Sequence, residues 1–382
     1  MLVNRLRQQL ASEVTLRELF LHPTVRALST CIREGSRRSQ APIPAAEPQA
    51  SYPLSSAQKR LYILNRLDAE GTSYNTPGVL ELEGKLDAER LAASFRQLAA
   101  RHEILRTSFH WEAGEPVQQV HAAEEAEPEF QLLDVFSEAE AKEAVNGYIR
   151  PFRLEEAPLL RACLIRVNGE QERHILVYDM HHIVSDGVTL ELLARELGQL
   201  YAGEELEAPL AQYKDYAVWQ QQRLTGGELS DSETYWLGQF GEEAPVLELP
   251  TDKPRPGMLQ GEGDRVHGEL DANLVEAMKK LGAESGATMY MVLLSGLQVL
   301  LSKLSGQEDV VVGTPVAGRT HVDTEAMAGV FINMLPMRGQ AAGDKSFRAF
   351  LGEMRERALS AYEHQDYPFE ELVSKLDARR DL

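Results

Sequence analysis

The stretch HILVYDMHHIVSDGVTLELLARELGQLYAG, residues 174–203, determines the fold of the region around it. Residues 174–180 are rich in β-branched, aromatic and aliphatic side chains, which predicts a strand. Residues 188–203 carry apolar side chains at helical spacing and end on a glycine, which predicts a helix. Between them lies HHIVSDG, residues 181–187. The sequence therefore predicts a polar loop that joins a strand to a helix.

The alternation of strands and helices continues upstream of this stretch. LLRACLIRV, residues 159–167, is a second β-rich run, and the polar residues after it predict a hairpin with residues 174–180. Residues 78–84 have strand character. Residues 87–105 open with Asp87 as a helix cap and place apolar side chains on one helical face. This order predicts a lobe of α/β type over residues 52–215.

The downstream half repeats the pattern and predicts a second lobe over residues 216–382. TMYMVLLSGLQVLLSKLSG, residues 288–306, is apolar nearly all round and predicts a buried helix. The runs DVVVGTPV (309–316) and GVFINMLPMR (329–338) predict interior strands. The predicted fold class is therefore α/β (α+β) with two lobes.

The first 51 residues differ from the rest in composition. Residues 1–35 space leucines at helical intervals between breakers and predict short helices. Residues 36–51 supply Pro, Ala, Ser and Gln without periodicity, which is typical of an extended linker.

Composition limits the possible partners and compartments. The formal charge of −20, from 59 acidic and 39 basic residues, favours neither nucleic acid nor anionic lipid as a partner. The two cysteines, Cys31 and Cys163, indicate neither a disulfide framework nor a zinc site, and predict a reducing compartment. No signal peptide or membrane span stands out, so the sequence predicts a cytoplasmic chain.

Three interpretations of HHIVSDG can be compared. Neighbouring residues of a strand point to opposite faces, so His181 and His182 do not converge on one ion, and no metal site is predicted. A structural interpretation makes His181 a core histidine and Asp186–Gly187 a turn that caps the next helix. That interpretation suits His181 taken alone, but a turn does not require His182.

The third interpretation is chemical. A neutral imidazole at His182 can orient or accept a proton from an attacking amine, hydroxyl or thiol. Asp186 can hold the loop by pairing with an arginine, and Gly187 allows its N–H, near a helix start, to face a developing oxyanion. No GxSxG elbow accompanies the motif, which favours direct transfer between two bound substrates over a covalent acyl-enzyme.

The motif resembles the acyltransferase superfamily that includes chloramphenicol acetyltransferase and the condensation domains of nonribosomal peptide synthetases. Further stretches are similar to the other signatures of condensation domains, in order: SSAQKRLYIL (55–64), RHEILRTSF (101–109), YKDYAVW (213–219), GVFINMLPMR (329–338) and HQDYPFE (364–370). The form of the first is most similar to domains that join two L-configured residues. Residues 1–35 look like the C-terminal part of a peptidyl carrier domain, without the serine that bears its phosphopantetheine arm.

The resemblance implies two chloramphenicol-acetyltransferase-like lobes in a V with the site between them. It implies amide bond formation between two thioesters carried on the 4′-phosphopantetheine of donor and acceptor carrier domains, beside an adenylation domain, with no cofactor bound by the domain itself. His182 and Gly187 would be catalytic, and His181 structural. Asp186 would pair with Arg106. Substrate-tunnel positions are expected at Ser185 and Asn333.

Two alternatives stay open. A coenzyme A-dependent acyltransferase would share HHxxxDG but not the other signatures. A non-catalytic fragment is the second, because the chain ends within what resembles the seventh signature, which predicts an incomplete second lobe. GTPVAGRT, residues 313–320, approaches a phosphate-binding loop but has Arg319 where that motif has lysine, and no clear helix follows. We therefore interpret it as a loop that spans the lobes.

Overall fold

The computed structural model describes residues 2–12, 14–34, 41–168, 173–241, 244–253 and 263–376. Part of the predicted linker, most of the predicted hairpin turn and the chain end that resembles the seventh signature lie outside these residues. The chain forms two compact units. The first contains Gln40–Glu228 and Arg319–Ile332, and the second contains Leu2–Ser39, Leu229–Gly318 and Asn333–Leu382.

Within the described residues, the chain begins with three short helices that belong to the second unit: α1 (Leu2–Leu10), α2 (Leu16–Leu21) and α3 (Val25–Glu34). Thr15 caps α2, since its hydroxyl accepts from the Glu18 N–H while the Glu18 carboxylate accepts from the Thr15 N–H. Arg17 donates to Glu356 at 2.9 Å. The short helices expected over residues 1–35 are present, and their assignment to a carrier domain stays a prediction.

The described part of the predicted linker is bound to the first unit along its length. The Ala41 carbonyl accepts from His321 Nε2 at 3.0 Å, and the Ile43 N–H donates to Asp323 at 2.8 Å. The Ala46 N–H donates to Asp215 at 2.9 Å. Residues 41–46 are therefore an anchored strap.

In the described part of the first unit, two sheets form the framework. The smaller has the order β1 (Tyr52–Pro53), β4 (Glu115–Val120), β3 (Thr107–Glu112). The larger has the order β2 (Gly78–Leu82), β7 (Arg173–Met180), β6 (Leu160–Val167), β5 (Glu129–Val135). β6 and β7 pair antiparallel, with Leu160 opposite Met180 and Val167 opposite Arg173, which confirms the predicted hairpin. β5 and β6 are parallel, and the crossover between them contains a helix.

Helices cover both faces of the larger sheet. The helices of the first unit, as far as it is described, are α4 (Ser56–Leu67), α5 (Ala88–Arg101), α6 (Glu138–Tyr148), α7 (Gly187–Ala202) and α8 (Tyr213–Thr225). α5 and α7 pack on the face that carries Leu164 and Leu176, and α6 packs on the face that carries Ile165 and Val177. This arrangement confirms the predicted α/β class. The predicted lobe boundary at 215/216 falls inside α8.

The second unit contains the remaining α-helices and strands of the described residues: α9 (Ser230–Phe240), α10 (Ala272–Ser285), α11 (Met289–Ser305), β8 (Asp309–Val316), β9 (Asn333–Gln340), α12 (Phe347–Glu363) and α13 (Phe369–Lys375). β8 and β9 pair antiparallel, and α11 and α12 share a core. The prediction that α11 is buried is wrong for one of its faces, because Leu293, Leu297, Leu300 and Leu304 are exposed.

Among the described residues, no single helix combines the length and hydropathy of a membrane span. Only α10 and α11 taken together, with a bend of 105° between them, reach both.

Candidate active site

The HHIVSDG loop lies where the sequence predicts it, between β7 and α7. His181 forms an isolated β-bridge with Asn75, residues 182–184 make one 3-10 turn, and α7 begins at Gly187. The Asp186 side chain caps α7 by accepting from the Thr189 N–H at 2.7 Å. His181, His182, Asp186 and Gly187 therefore lie together in one short loop between β7 and α7.

His182 is held at two points, and its second ring nitrogen has no hydrogen-bond partner among the described residues. Its backbone N–H donates to the Tyr74 carbonyl at 2.8 Å, and its Nδ1 lies 2.7 Å from the Ser185 carbonyl. Because a carbonyl only accepts, Nδ1 carries the hydrogen, and the neutral ring has its lone pair on Nε2. The ring is half-buried. His182 is thus oriented as a proton or hydrogen-bond acceptor through Nε2.

His181 is a structural histidine. Only 1% of it is exposed, and its Nδ1 accepts from the Ile183 N–H at 3.1 Å. Burial, with a smaller contribution from the neighbouring His182, lowers the pKa of His181 to about 4. The ring is therefore neutral at pH 7, and it packs against the aromatic rings of Tyr74 and Phe152.

Both carboxylate oxygens of Asp186 bind groups outside the loop. Its Oδ1 lies 3.2 Å from an Arg319 nitrogen, and its Oδ2 accepts from the Phe331 N–H at 2.9 Å. Arg319 also donates to the Thr189 hydroxyl at 2.7 Å and to the Met327 carbonyl at 2.7 Å. Asp186 and Arg319 are both nearly inaccessible to solvent, so each charge is compensated inside the protein.

The predicted pairing of Arg106 with Asp186 is wrong. Arg106 ends a 3-10 turn that leads into β3, and this position directs its guanidinium to the His121 carbonyl after β4 and to Glu103 at 3.6 Å. The cation that Asp186 uses is Arg319. In the sequence, Arg319 is notable only because it replaces the lysine of a phosphate-loop pattern. It lies 133 residues from Asp186, so no local pattern predicts that the two residues pair.

Gly187 is exposed and leaves open space at the start of α7. Its φ is not in the left-handed region, and a Cβ at this position would have no described atom within 4 Å. Neither backbone geometry nor packing within the described chain therefore requires glycine here. Open space therefore surrounds the position of a side chain at the residue that begins α7.

The two predicted tunnel residues have structural contacts. Ser185 is fully buried, and its hydroxyl lies 3.4 Å from that of Thr76. Asn333, in the second unit, donates to the carbonyls of Gln365 and Tyr367 at 2.8 Å each and accepts from the Phe369 N–H at 3.0 Å. These contacts favour a structural role for both side chains.

A buried polar cluster beneath the loop gives no signal in the sequence. Asp179 of β7 is fully buried and faces Arg161 of β6 at 2.5 Å. The Asn75 amide donates to Asp179 at 2.7 Å and to the Arg150 carbonyl at 2.9 Å. Thr76 donates twice to the Met180 carbonyl. Residues 74–76 therefore form a clamp that is fixed to β7 on one side and holds the His182 N–H on the other.

Desolvation raises the pKa of Asp179, against the opposing hydrogen bond and charge of Arg161. The cluster thus depends on its partners to keep a carboxylate buried. No group of three or more His, Cys, Asp or Glu side chains within the described ranges could hold a metal ion.

Comparisons with known proteins agree with the resemblance that the sequence shows to condensation domains. The sequence model of the condensation domain matches residues 48–382. The chain is 47% identical to tyrocidine synthase 3 of Brevibacillus parabrevis, over 97% of this chain and 6% of that protein. It is 45% identical to bacitracin synthase 2 of Bacillus licheniformis, over 99% of this chain and 14% of that protein. The chain therefore spans a small part of these relatives.

Solved structures agree in fold. The X-domain from teicoplanin biosynthesis matches 89% of this chain and 77% of its own, with a TM-score of 0.81 and 27% identity. The condensation domain from the monacolin K polyketide synthase MokA matches 86% of this chain and 76% of its own, with a TM-score of 0.70 and 25% identity. The strand, histidine loop and helix described above thus lie in a chain that belongs to the condensation-domain family.

Proposed function

We propose that this condensation domain of nonribosomal peptide synthesis joins a carrier-bound aminoacyl or peptidyl thioester to the α-amine of a carrier-bound aminoacyl thioester. The observation that supports this best is the orientation of His182, whose Nδ1 is used by the Ser185 carbonyl so that Nε2 can receive a proton. The names of the relatives, which are synthases of tyrocidine and bacitracin, agree with this reaction.

The reaction needs four bond changes. The acceptor amine attacks the donor thioester carbon and forms the C–N bond. The amine loses one proton, which Nε2 of His182 orients or takes. The carbonyl oxygen carries negative charge in the tetrahedral intermediate, near the N–H groups at the start of α7. The C–S bond then breaks, and the donor thiolate leaves with a proton, so that an amide and a free thiol are the products.

The remaining loop residues position these groups. Asp186, paired with Arg319, fixes the start of α7, and the clamp of residues 74–76 fixes the backbone of His182. Holding two tethered reactants in contact supplies a further large part of the acceleration. Both reactants arrive as thioesters on the phosphopantetheine arms of donor and acceptor carrier domains. A neighbouring adenylation domain and a cytoplasmic location complete the proposal.

The test is transfer between separately loaded carrier proteins, followed by intact mass. We expect product with the native chain and a loss of about 10²–10⁴-fold in rate with His182→Ala. His267→Ala, which changes an exposed histidine, is the matched control and should keep the native rate. Equal rates for His182→Ala and the native chain would contradict the proposal.

Two additional arms address the alternatives. Replacement of the donor carrier by free acyl-coenzyme A tests the acyltransferase alternative, which predicts transfer without any carrier. An inactive native chain should be retested with the sequence that follows it in a longer relative appended, and activity gained only then would support the fragment alternative.

A further inference from the structure

A large apolar cavity lies inside the first unit, between the four-stranded sheet and helices α5 and α7. Its volume is about 510 Å³. Its lining is mostly leucine, with Leu91 and Leu98 from α5, Leu176 from β7, and Leu193 and Leu197 from α7. The volume is within the range of about 300–1,000 Å³ that is usual for small-molecule sites.

The cavity adjoins both the histidine loop and solvent. Met180, which precedes His181, and Leu190, which follows Gly187 in the first turn of α7, belong to its lining. The exposed side chains of Glu81, Glu83 and Lys85 also border it, so one side of the cavity faces water. Residues on both sides of HHIVSDG in the chain therefore line an apolar space that also reaches the surface of the first unit.

We propose that this cavity binds the aliphatic group of a thioester substrate, either the donor acyl chain or the acceptor side chain. The inference deepens the proposed function and rests on it for the reaction. Apolar side chains dominate the lining, so a charged or strongly polar group would lose its hydration without compensation. An aliphatic chain gains about fourfold in affinity for each methylene that it buries.

Gly198 gives a direct way to fill the cavity. It lies in α7, borders the cavity, and a Cβ at its position would have no described atom within 4 Å. Gly198→Phe therefore adds volume without a clash at Cβ, and removing a glycine from a helix interior favours folding. Gly296→Phe is the matched control. Gly296 is also exposed in the interior of a long helix, α11, with open space at Cβ, and it does not border the cavity.

The first experiment measures binding without any reaction. Octanoyl-N-acetylcysteamine and acetyl-N-acetylcysteamine thioesters are titrated calorimetrically into the native chain and both variants. We expect the octanoyl thioester to bind at least about tenfold more tightly than the acetyl one. Gly198→Phe should remove this difference, and Gly296→Phe should keep it. An octanoyl preference that survives Gly198→Phe would overturn the cavity assignment.

The second experiment identifies which substrate supplies the aliphatic group. Transfer is measured with leucyl against alanyl donors at constant acceptor, and with leucyl against alanyl acceptors at constant donor. Gly198→Phe should lower the leucine-to-alanine ratio of kcat/KM in one arm at least about tenfold. Leu197→Ala, which enlarges the same cavity, should shift preference in that arm toward longer chains.

Failures of the two proposals give different results. Normal alanyl transfer with unchanged ratios in both arms overturns the cavity assignment and leaves the reaction intact. Octanoyl binding that Gly198→Phe abolishes, in a chain that makes no product even with the following sequence of a longer relative appended, supports the apolar site and contradicts the proposed function.

Discussion

Gly187 is a residue that the folded chain does not need as glycine. Its φ is ordinary for any residue, and open space surrounds the position of a Cβ. We expect Gly187→Ala to fold normally, with a Tm equal to or slightly above that of the native chain, since alanine is the better helix former. In the proposed reaction a substrate oxygen approaches the first turn of α7, so the added methyl group would obstruct it.

Transfer by Gly187→Ala should therefore fall at least about tenfold through kcat. Thermal melts and steady-state transfer rates on the same preparation give both numbers. A native rate in this variant would show that substrates do not approach the first turn of α7.

Arg319 and Arg106 form a natural pair for comparison, because Arg319 compensates Asp186 and Arg106 does not. Arg319→Ala leaves a buried carboxylate without its cation, which costs about 3–5 kcal/mol in the free energy of unfolding. Arg106→Ala removes contacts with His121 and Glu103 and should cost less. Urea denaturation monitored by tryptophan fluorescence measures both.

Arg319→Ala should also lose most of its transfer activity at a temperature where it is still folded, because the loop is no longer fixed. The assignment would be wrong if Arg106→Ala proved the more damaging of the two in both assays.

At the residue scale, the sequence was sufficient to predict which residues of the site share one loop. His181, His182, Asp186 and Gly187 are close in the chain, so their grouping in one loop follows from the strand before them and the helix after them. The partner of Asp186, Arg319, comes from a distant segment, whereas the sequence indicates Arg106 for that role. Local pattern cannot rank such candidates, because the choice depends on the path of residues 319–332.

At the scale of elements, the clamp of residues 74–76 links β7 to the histidine loop. Asn75 donates to Asp179 and to the Arg150 carbonyl. Asn75→Ala should cost about 1–3 kcal/mol in unfolding free energy, because the buried Asp179 keeps one partner fewer. Asn75→Asp should cost more, since it sets a second carboxylate beside the first.

Both Asn75 variants should lower kcat with little change in KM if the clamp positions His182. Steady-state kinetics with loaded carriers separates the two constants. Thr76→Val, which removes one of two hydrogen bonds to the Met180 carbonyl, is the control and should have the smaller effect. A variant with native kcat and reduced stability would restrict the clamp to a structural role.

Helix α11 illustrates where element prediction stops. Its length and limits agree with the apolar run in the sequence, but one face is exposed and Gln298 is buried on the other. The Gln298 amide donates to the Met337 carbonyl at 2.8 Å. An apolar run of this length predicts a helix. Because its apolar residues lie on all sides of the helix, the run does not predict which face packs against the sheet.

At the scale of the whole molecule, stability should fall as the pH falls below neutrality. The pKa of His181 is about 4 in the folded chain, against about 6.5 when unfolded. The unfolded state therefore binds a proton first, and stability is lost between about pH 6.5 and pH 4. The full loss from this one group is about 3 kcal/mol.

Glu196 adds a second loss at lower pH. Burial raises its pKa, but the hydrogen bonds and charges of His102 and Arg101 outweigh burial, so its pKa lies below the ordinary value. The contribution of Glu196 to stability is present above its unfolded pKa and is lost as the pH falls through its folded pKa.

The loss that comes from His181 can be tested by substitution. The free energies of urea unfolding at pH 7 and at pH 5 should differ less for His181→Asn than for the native chain. An equal difference would exclude His181 as the source.

The order of synthesis determines when the contacts of Asp186 can form. Phe331, whose N–H binds the Asp186 carboxylate, lies 145 residues farther along the chain. At a synthesis rate of about 5–20 residues per second, roughly 7–30 s separate the two residues on the ribosome. For most of that interval the residues of the strand, the histidine loop and the helix have been made, while Arg319, the cation that pairs with Asp186, has yet to be translated. A nascent chain released before residue 319 would carry the whole HHIVSDG motif but neither the Arg319 guanidinium nor the Phe331 N–H that bind Asp186.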